Sequence, residues 1–267
     1  MKKSKKQINL ESIILSELSG KSASVVSLIF EDKEIQVLQD YTNIVAIKRL
    51  GFNDHGPVHM RKAALNALIM FDLLSHAGIK FNLEKEGLGS VEDSKIAVLI
   101  ASLLHDIGMT VSREKHETIS VIISLPIIDR ILTKFYKDDL SKKVILRSLI
   151  IEGIIGHMAT QKIDSLEAGL VLIGDGCDME KGRARIPSLL SQTPRVGDIH
   201  KYSASSIQNV KIESGKYKPI KIIVEMTQSV GFFQIEEVLF PKILSSPVKP
   251  YIELYGEVKD EKKLRYL

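Results

Sequence analysis

Residues 96–110 read Ile-Ala-Val-Leu-Ile-Ala-Ser-Leu-Leu-His-Asp-Ile-Gly-Met-Thr. From Ile96 to Leu104 no residue is charged, and the run is too short to cross a bilayer, which takes about 20 residues. It reads as a core helix apolar on every face. An imidazole and a carboxylate, His105 and Asp106, follow with no polar spacer, at a depth where an unpaired charge is costly. A divalent cation compensates both at once, because it accepts neutral imidazole nitrogen and anionic oxygen together. Gly108 is then the expected helix stop.

Working outward, Lys80 to Glu92 is charged and glycine-containing and leads into the core helix as a loop. Before it, Gly-Phe-Asn-Asp-His-Gly-Pro-Val-His spans residues 51–59. Pro57 suits a first helical turn, so a helix is expected from Pro57 to Ser75. His59 lies in that first turn beside Ala63, Ala64 and Ala67, small residues that let another helix approach. His55 reads as a loop or capping residue, and His76 as a favourable charge at a helix C-terminus. Earlier still, Ile8–Leu18 forms a short amphipathic helix ended by Ser19-Gly20, and Lys33–Leu50 a second one closed by Gly51.

Downstream, Thr118–Leu125 is helical, with Pro126 interrupting or restarting the run. Ile127–Tyr136 and Leu140–Gly156 continue the helical pattern, the latter placing His157 after an apolar segment. Glu167–Arg185 is the last helical piece. In it Gly174 and Gly176 flank Asp175, and each glycine costs about 1 kcal/mol relative to alanine in a helix, so close backbone approach is the expected return. Asp178 follows three residues after Asp175. Arg183 and Arg185 suit a salt-bridge cluster or a phosphate contact. From Tyr202 the pattern changes: Ser203–Ser206 introduces strands at Ile207–Glu213 and Pro219–Met226, a helix at Phe232–Leu244 and a strand at Pro247–Val258. The expected fold is mainly α, a helical core with a small C-terminal α+β unit of β-β-α-β order. The boundaries fall at 1–50 for an N-terminal helical segment, 51–202 for the helical domain and 203–267 for the α+β unit. An exposed strand edge of that unit, or its Phe232/Phe233/Phe240 face, suits a second copy of the chain, so a homo-oligomer is expected.

The 267 residues carry a net charge of +4, much of it in the opening Met-Lys-Lys-Ser-Lys-Lys, with 6% aromatic residues and no tryptophan. Single-stranded nucleic acid binding by base stacking is therefore disfavoured. A single cysteine, Cys177, excludes an intrachain disulfide framework and fits the reducing cytoplasm. No signal peptide or membrane span is expected, since Ile8–Leu18 is broken by Asn9, Glu11 and Glu17.

The buried-looking candidates are His59, His105, Asp106, His116, His157 and Asp175. Their order resembles the HD superfamily of metal-dependent phosphohydrolases, through His-Met-Arg-Lys-Ala-Ala at His59, Leu-Leu-His-Asp-Ile-Gly at His105 and Asp106, and Leu-Ile-Gly-Asp-Gly-Cys-Asp at Asp175. Asn-Asp-His-Gly-Pro-Val-His looks like a subgroup common in archaea. The likeness covers residues 50–190. It implies that His59, His105, Asp106 and Asp175 surround one divalent ion, with His116 and His157 placed for a second and Asp106 bridging. Mn, Fe, Ni, Mg or Zn could occupy such ligands. Met109 stands where such proteins often carry lysine, and the Gly-Tyr-Pro element of the cyclic-dinucleotide branch is absent.

The implied activity is metal-dependent hydrolysis of a phosphomonoester or phosphodiester of a small molecule, a nucleotide for preference, by attack of hydroxide generated on the metal. Lys62, Arg183 and Arg185 are the candidate cations for phosphoryl charge, with Lys115 as a stand-in for the missing lysine. Asp178 would orient a ligand or an arginine. The alternative is a non-catalytic nucleotide-binding regulatory protein that retains the metal pocket.

Overall fold

The computed structural model describes residues 2–180, 198–259 and 263–267. The helices are α1 (Lys5–Ser16), α2 (Gly20–Glu31), α3 (Lys33–Ile44), α4 (Pro57–His76), α5 (Asn82–Lys85), α6 (Val91–Leu104), α7 (His116–Tyr136), α8 (Leu140–Gly156), α9 (Leu166–Gly176) and α10 (Asp198–Ser206). After them come β1 (Ile207–Ser214), β2 (Ile220–Met226), α11 (Phe232–Gln234), α12 (Phe240–Ser245), β3 (Ile252–Val258) and β4 (Leu264–Arg265). The chain is thus mainly helical with a small sheet at its C-terminal end.

Helix α6 is the axis of the body. It opens on a capping box, Ser90 Oγ accepting from Asp93 N while Asp93 Oδ2 accepts from Ser90 N. None of its residues from Ile96 to Leu104 is more than 1% exposed, because α2, α4, α8 and α9 pack around it. The helix ends at Leu104, and residues Ile107–Thr110 form a 3₁₀ turn. Gly108 has a different reason from helix termination. A Cβ there would lie 2.1 Å from the His116 carbonyl oxygen and 2.5 Å from Ser120 N, so glycine lets this turn press against the start of α7.

Pro57 occupies the first turn of α4, as its ring geometry favours. Gly174 permits the approach of α9 to α4: a Cβ would stand 2.8 Å from Ala63 O and 3.0 Å from Ala67 Cβ. Pro126 neither stops nor restarts α7, which runs continuously from His116 to Tyr136. The carbonyl that its missing N–H leaves unpaired belongs to Ile122, an exposed residue, so water can serve that oxygen. Helix α2 adds to the expected elements, although its Val25, Val26, Ile29 and Phe30 recur at helical spacing. It begins right at Gly20 (φ 59°), where a helix end is expected from the sequence, and it buries Val25, Val26, Ile29 and Phe30.

Arg61, 1% exposed, joins the N-terminal helices to α4. Its Nε donates to Glu11 Oε1 at 2.7 Å, and its Nη1 to Gln39 Oε1 at 2.7 Å and to Pro57 O at 3.0 Å. Gln39 in turn donates to Leu103 O at 2.7 Å, fixing the last turn of α6 just before His105. Without the guanidinium, Gln39 Oε1 and Pro57 O lose a buried donor, while Glu11 keeps Lys3 Nζ at 2.8 Å and Gln7 Nε2 at 3.2 Å, so the cost is that of buried hydrogen bonds left unmade, about 1–3 kcal/mol. Arg61→Met is expected to destabilise the protein by about that much in urea unfolding; a loss below about 1 kcal/mol would show these bonds to be dispensable.

The sheet has the order β1-β2-β3-β4, with β1/β2 antiparallel, β2/β3 parallel in the register Ile222↔Leu254, and β3/β4 antiparallel. The parallel pair needs a crossover, which the helical stretch 229–245 provides. A short fourth strand thus extends the β-β-α-β unit expected from the sequence. Tyr266, just beyond β4, lies against Phe232 and Phe240, with ring centroids 6.4 and 5.7 Å away. Strands β1 and β2 pack on α4, and α12 on α9, so the unit rests on the two helices that carry His59 and Asp175. Among the described residues no helix is long and apolar enough to cross a membrane.

Candidate metal centre

Five helix ends converge. His59 comes from the first turn of α4, His105 and Asp106 from the end of α6, His116 from the start of α7, His157 from the end of α8, and Asp175 from the last turn of α9. All six are buried, none more than 7% exposed.

The imidazoles share one orientation. Nδ1 of His59 meets Asp178 Oδ2 at 2.7 Å, and Nδ1 of His105, His116 and His157 meet the carbonyls of Ser102, Arg113 and Ile154 at 2.8, 2.9 and 2.6 Å. A carbonyl or carboxylate only accepts, so each Nδ1 carries a proton, and in the neutral ring Nε2 is left to present a lone pair. Those lone pairs face one another: Nε2 of His59 and His105 are 3.2 Å apart, and Nε2 of His116 and His157 are 3.1 Å apart. Paired lone pairs at such distances repel unless a cation or proton lies between them.

Asp106 sits between the two pairs and divides its oxygens. Oδ2 is 3.2 Å from His59 Nε2 and 3.4 Å from His105 Nε2, while Oδ1 is 3.2 Å from His116 Nε2 and 3.5 Å from His157 Nε2. Two groups, His59/His105/Asp106 and Asp106/His116/His157, could each hold a metal ion. Metal–ligand bonds of ~2.1 Å imply a ligand–ligand edge of roughly 3.0–3.4 Å in octahedral or tetrahedral sites, which matches these spacings. Asp175 Oδ1 adds an oxygen to the first group, 3.2 Å from His59 Nε2. The donors are nitrogen and oxygen only, a set suited to first-row divalent ions.

Electrostatics agree with a cation-accepting pocket. Burial alone would push Asp106 up, yet positive charge at His105 and Nε2–H donation from the surrounding imidazoles, protons that an ion would displace, hold it well below the usual carboxylate range. Asp175 is likewise held low against its burial, chiefly by the Lys242 ammonium. Burial brings His157 down to about 4, so it is neutral at pH 7 and its Nε2 stays available. Cys177, also beside the centre, is pushed up to about 12 by burial and remains a neutral thiol.

The flanking candidates are placed differently. Lys62 pairs with Glu180 at 3.3 Å. Lys115 is exposed, adopts a left-handed φ of 54°, and makes no ion pair with the cluster. Arg183 and Arg185 lie outside the described residues. Asp178 holds His59 through Nδ1, and the ring of His55, bonded to Asn53 O at 2.7 Å, stands 5.7 Å from that of His59. His76 is exposed in the last turn of α4.

One residue of the centre comes from the C-terminal unit. Lys242 of α12 is 9% exposed; its Nζ donates to Asp175 Oδ2 and, at 2.9 Å, to His157 O. Gly176 makes room for it, since a Cβ there would lie 3.0 Å from Lys242 Cδ. The sequence offered one signal: helical spacing puts Lys242 in the apolar stripe of Leu239 and Ile243, where a surface lysine does not belong.

The uncharacterized protein MJ1020 of Methanocaldococcus jannaschii is 37% identical to this chain over 248 residues, 93% of each protein. The chain belongs to the same family. Only 19 of the 267 residues fall outside that match, fewer than the C-terminal unit contains, so this family's likeness takes in both the helical body and the sheet. No family model and no solved structure matches the chain.

Proposed function

We propose that this protein is a metal-dependent phosphohydrolase of the HD type, acting on a phosphate ester of a small molecule, with a nucleotide as the favoured class. The observation that carries the reading is the set of four Nδ1-anchored histidines whose Nε2 atoms gather in two pairs on either side of Asp106. A purely structural histidine cluster has no need to set lone pair against lone pair. His59, His105, Asp106 and Asp175 would hold one divalent ion and Asp106, His116 and His157 a second, with Asp106 bridging. When bound, such ions lower the pKa of water and draw charge from phosphoryl oxygens.

The side chains of this chain supply the framework for that chemistry. Asp178 and the carbonyls of Ser102, Arg113 and Ile154 fix the imidazoles in the ligating tautomer. Lys242 occupies Asp175 Oδ2 and so presents Oδ1 to the histidines. No protein nucleophile is required, and the buried neutral thiol of Cys177 is unsuited to be one. The test is a panel of phosphorylated metabolites, nucleotides included, assayed with Mn²⁺ and with a chelator. Chelator-sensitive release of phosphate is expected. Metal-loaded protein that binds a nucleotide and cleaves nothing would point instead to the regulatory alternative.

A further inference from the structure

Beside the second histidine pair stands a cation that neither the motif nor the ligand set uses. Arg113, half-buried, sends its Nη1 to within 3.5 Å of His116 Nε2 and 3.9 Å of the Met109 sulfur. Its guanidinium lies over the ring of Phe52, 5.3 Å from the centroid. Among the described residues no carboxylate lies within ion-pair distance of it, whereas Lys62 is matched by Glu180 and Lys242 by Asp175. A guanidinium is charged at any physiological pH and can only donate.

The geometry points to Arg113 as the residue that binds the phosphoryl group of the substrate. This rests on the phosphohydrolase reading. Arg113 shares with any cation a claim on one lone pair, that of His116 Nε2, because Nδ1 of that ring is committed to Arg113 O. Once an ion takes the lone pair, the Nη1 donor loses its acceptor and stands beside like charge. An anion with two or more free oxygens then meets both needs, since a guanidinium fork matches phosphate bidentately. Phe52, 44% exposed, holds the planar group from behind.

Titration calorimetry of inorganic phosphate into the full chain, Mn²⁺-loaded and metal-free, tests this. The loaded wild type is expected to bind phosphate, and the metal-free protein to bind it at least about 10-fold more weakly. Arg113→Gln should lose roughly 10–100-fold in affinity, as for a charged hydrogen bond, with its Mn²⁺ stoichiometry and thermal midpoint unchanged. Arg113→Lys should recover part of the loss, and Phe52→Ala should lose only a few-fold. Equal phosphate affinity in loaded wild type and Arg113→Gln overturns the role of Arg113 and leaves the phosphohydrolase reading standing. Equal affinity with and without metal overturns the coupling. Wild-type protein that takes up no metal overturns that reading and this inference together.

Discussion

Asp106→Ala is expected to remove bound metal from both groups and to lower phosphate release by at least about 10³-fold, several kcal/mol of transition-state stabilisation. The size of the effect follows from position. Each other ligand serves one group, whereas Asp106 faces His59 and His105 with one oxygen and His116 and His157 with the other. A second readout separates this from simple damage to the fold. An ion bound at about 100 times its dissociation constant stabilises the native state by about 2.7 kcal/mol, so chelation should lower the melting temperature of the wild type. The same chelator should leave Asp106→Ala unmoved. A variant that keeps its metal and its turnover would refute the bridging role.

Lys242→Met should cost about 10–100-fold in metal affinity or turnover, the range found when a hydrogen-bond partner of a metal ligand is removed. Methionine keeps the stem that lies against Gly176 but removes the ammonium, leaving Asp175 Oδ2 and the His157 carbonyl without that donor. Asp175 then loses the contact that turns Oδ2 away from the histidines, and the oxygen it presents to His59 is held less firmly. Metal titration and steady-state rates on the full chain check this. Values equal to wild type would reduce Lys242 to packing and make the C-terminal unit an appendage. The expected loss would instead make that unit a working wall of the centre, contributed from 67 residues beyond Asp175 in the chain.

The parts of the molecule that could be read in advance are those where local pattern and tertiary role coincide. Ile96–Leu104 is apolar on all sides because it is surrounded on all sides, and His105-Asp106 follows it into the interior. Pro57 and the alanines of α4, and Gly174 of α9, announce a close helix pair that the structure contains. Where the two diverge, the reading fails for physical reasons. Helix α2 is rich in serine and valine, weak helix formers, and owes its stability to burying Val25, Val26, Ile29 and Phe30 in the common core. Pro126 lies in α7 one turn after exposed Ile122, so the helix absorbs a residue that would break a buried one. Arg113 and Lys242 belong to the centre only through contacts made in space. Arg113, in a polar stretch, looks like surface charge until the fold turns it inward, whereas Lys242 shows only its place in the apolar stripe of Leu239 and Ile243.

The most direct measurement is the metal stoichiometry of the full chain, by elemental analysis after equilibration with Mn²⁺, Fe²⁺, Ni²⁺ or Zn²⁺ and removal of unbound ion. Two equivalents per chain in the wild type, and loss of both in Asp106→Ala, are expected. A folded wild type that retains no divalent ion under any of these conditions would contradict the account.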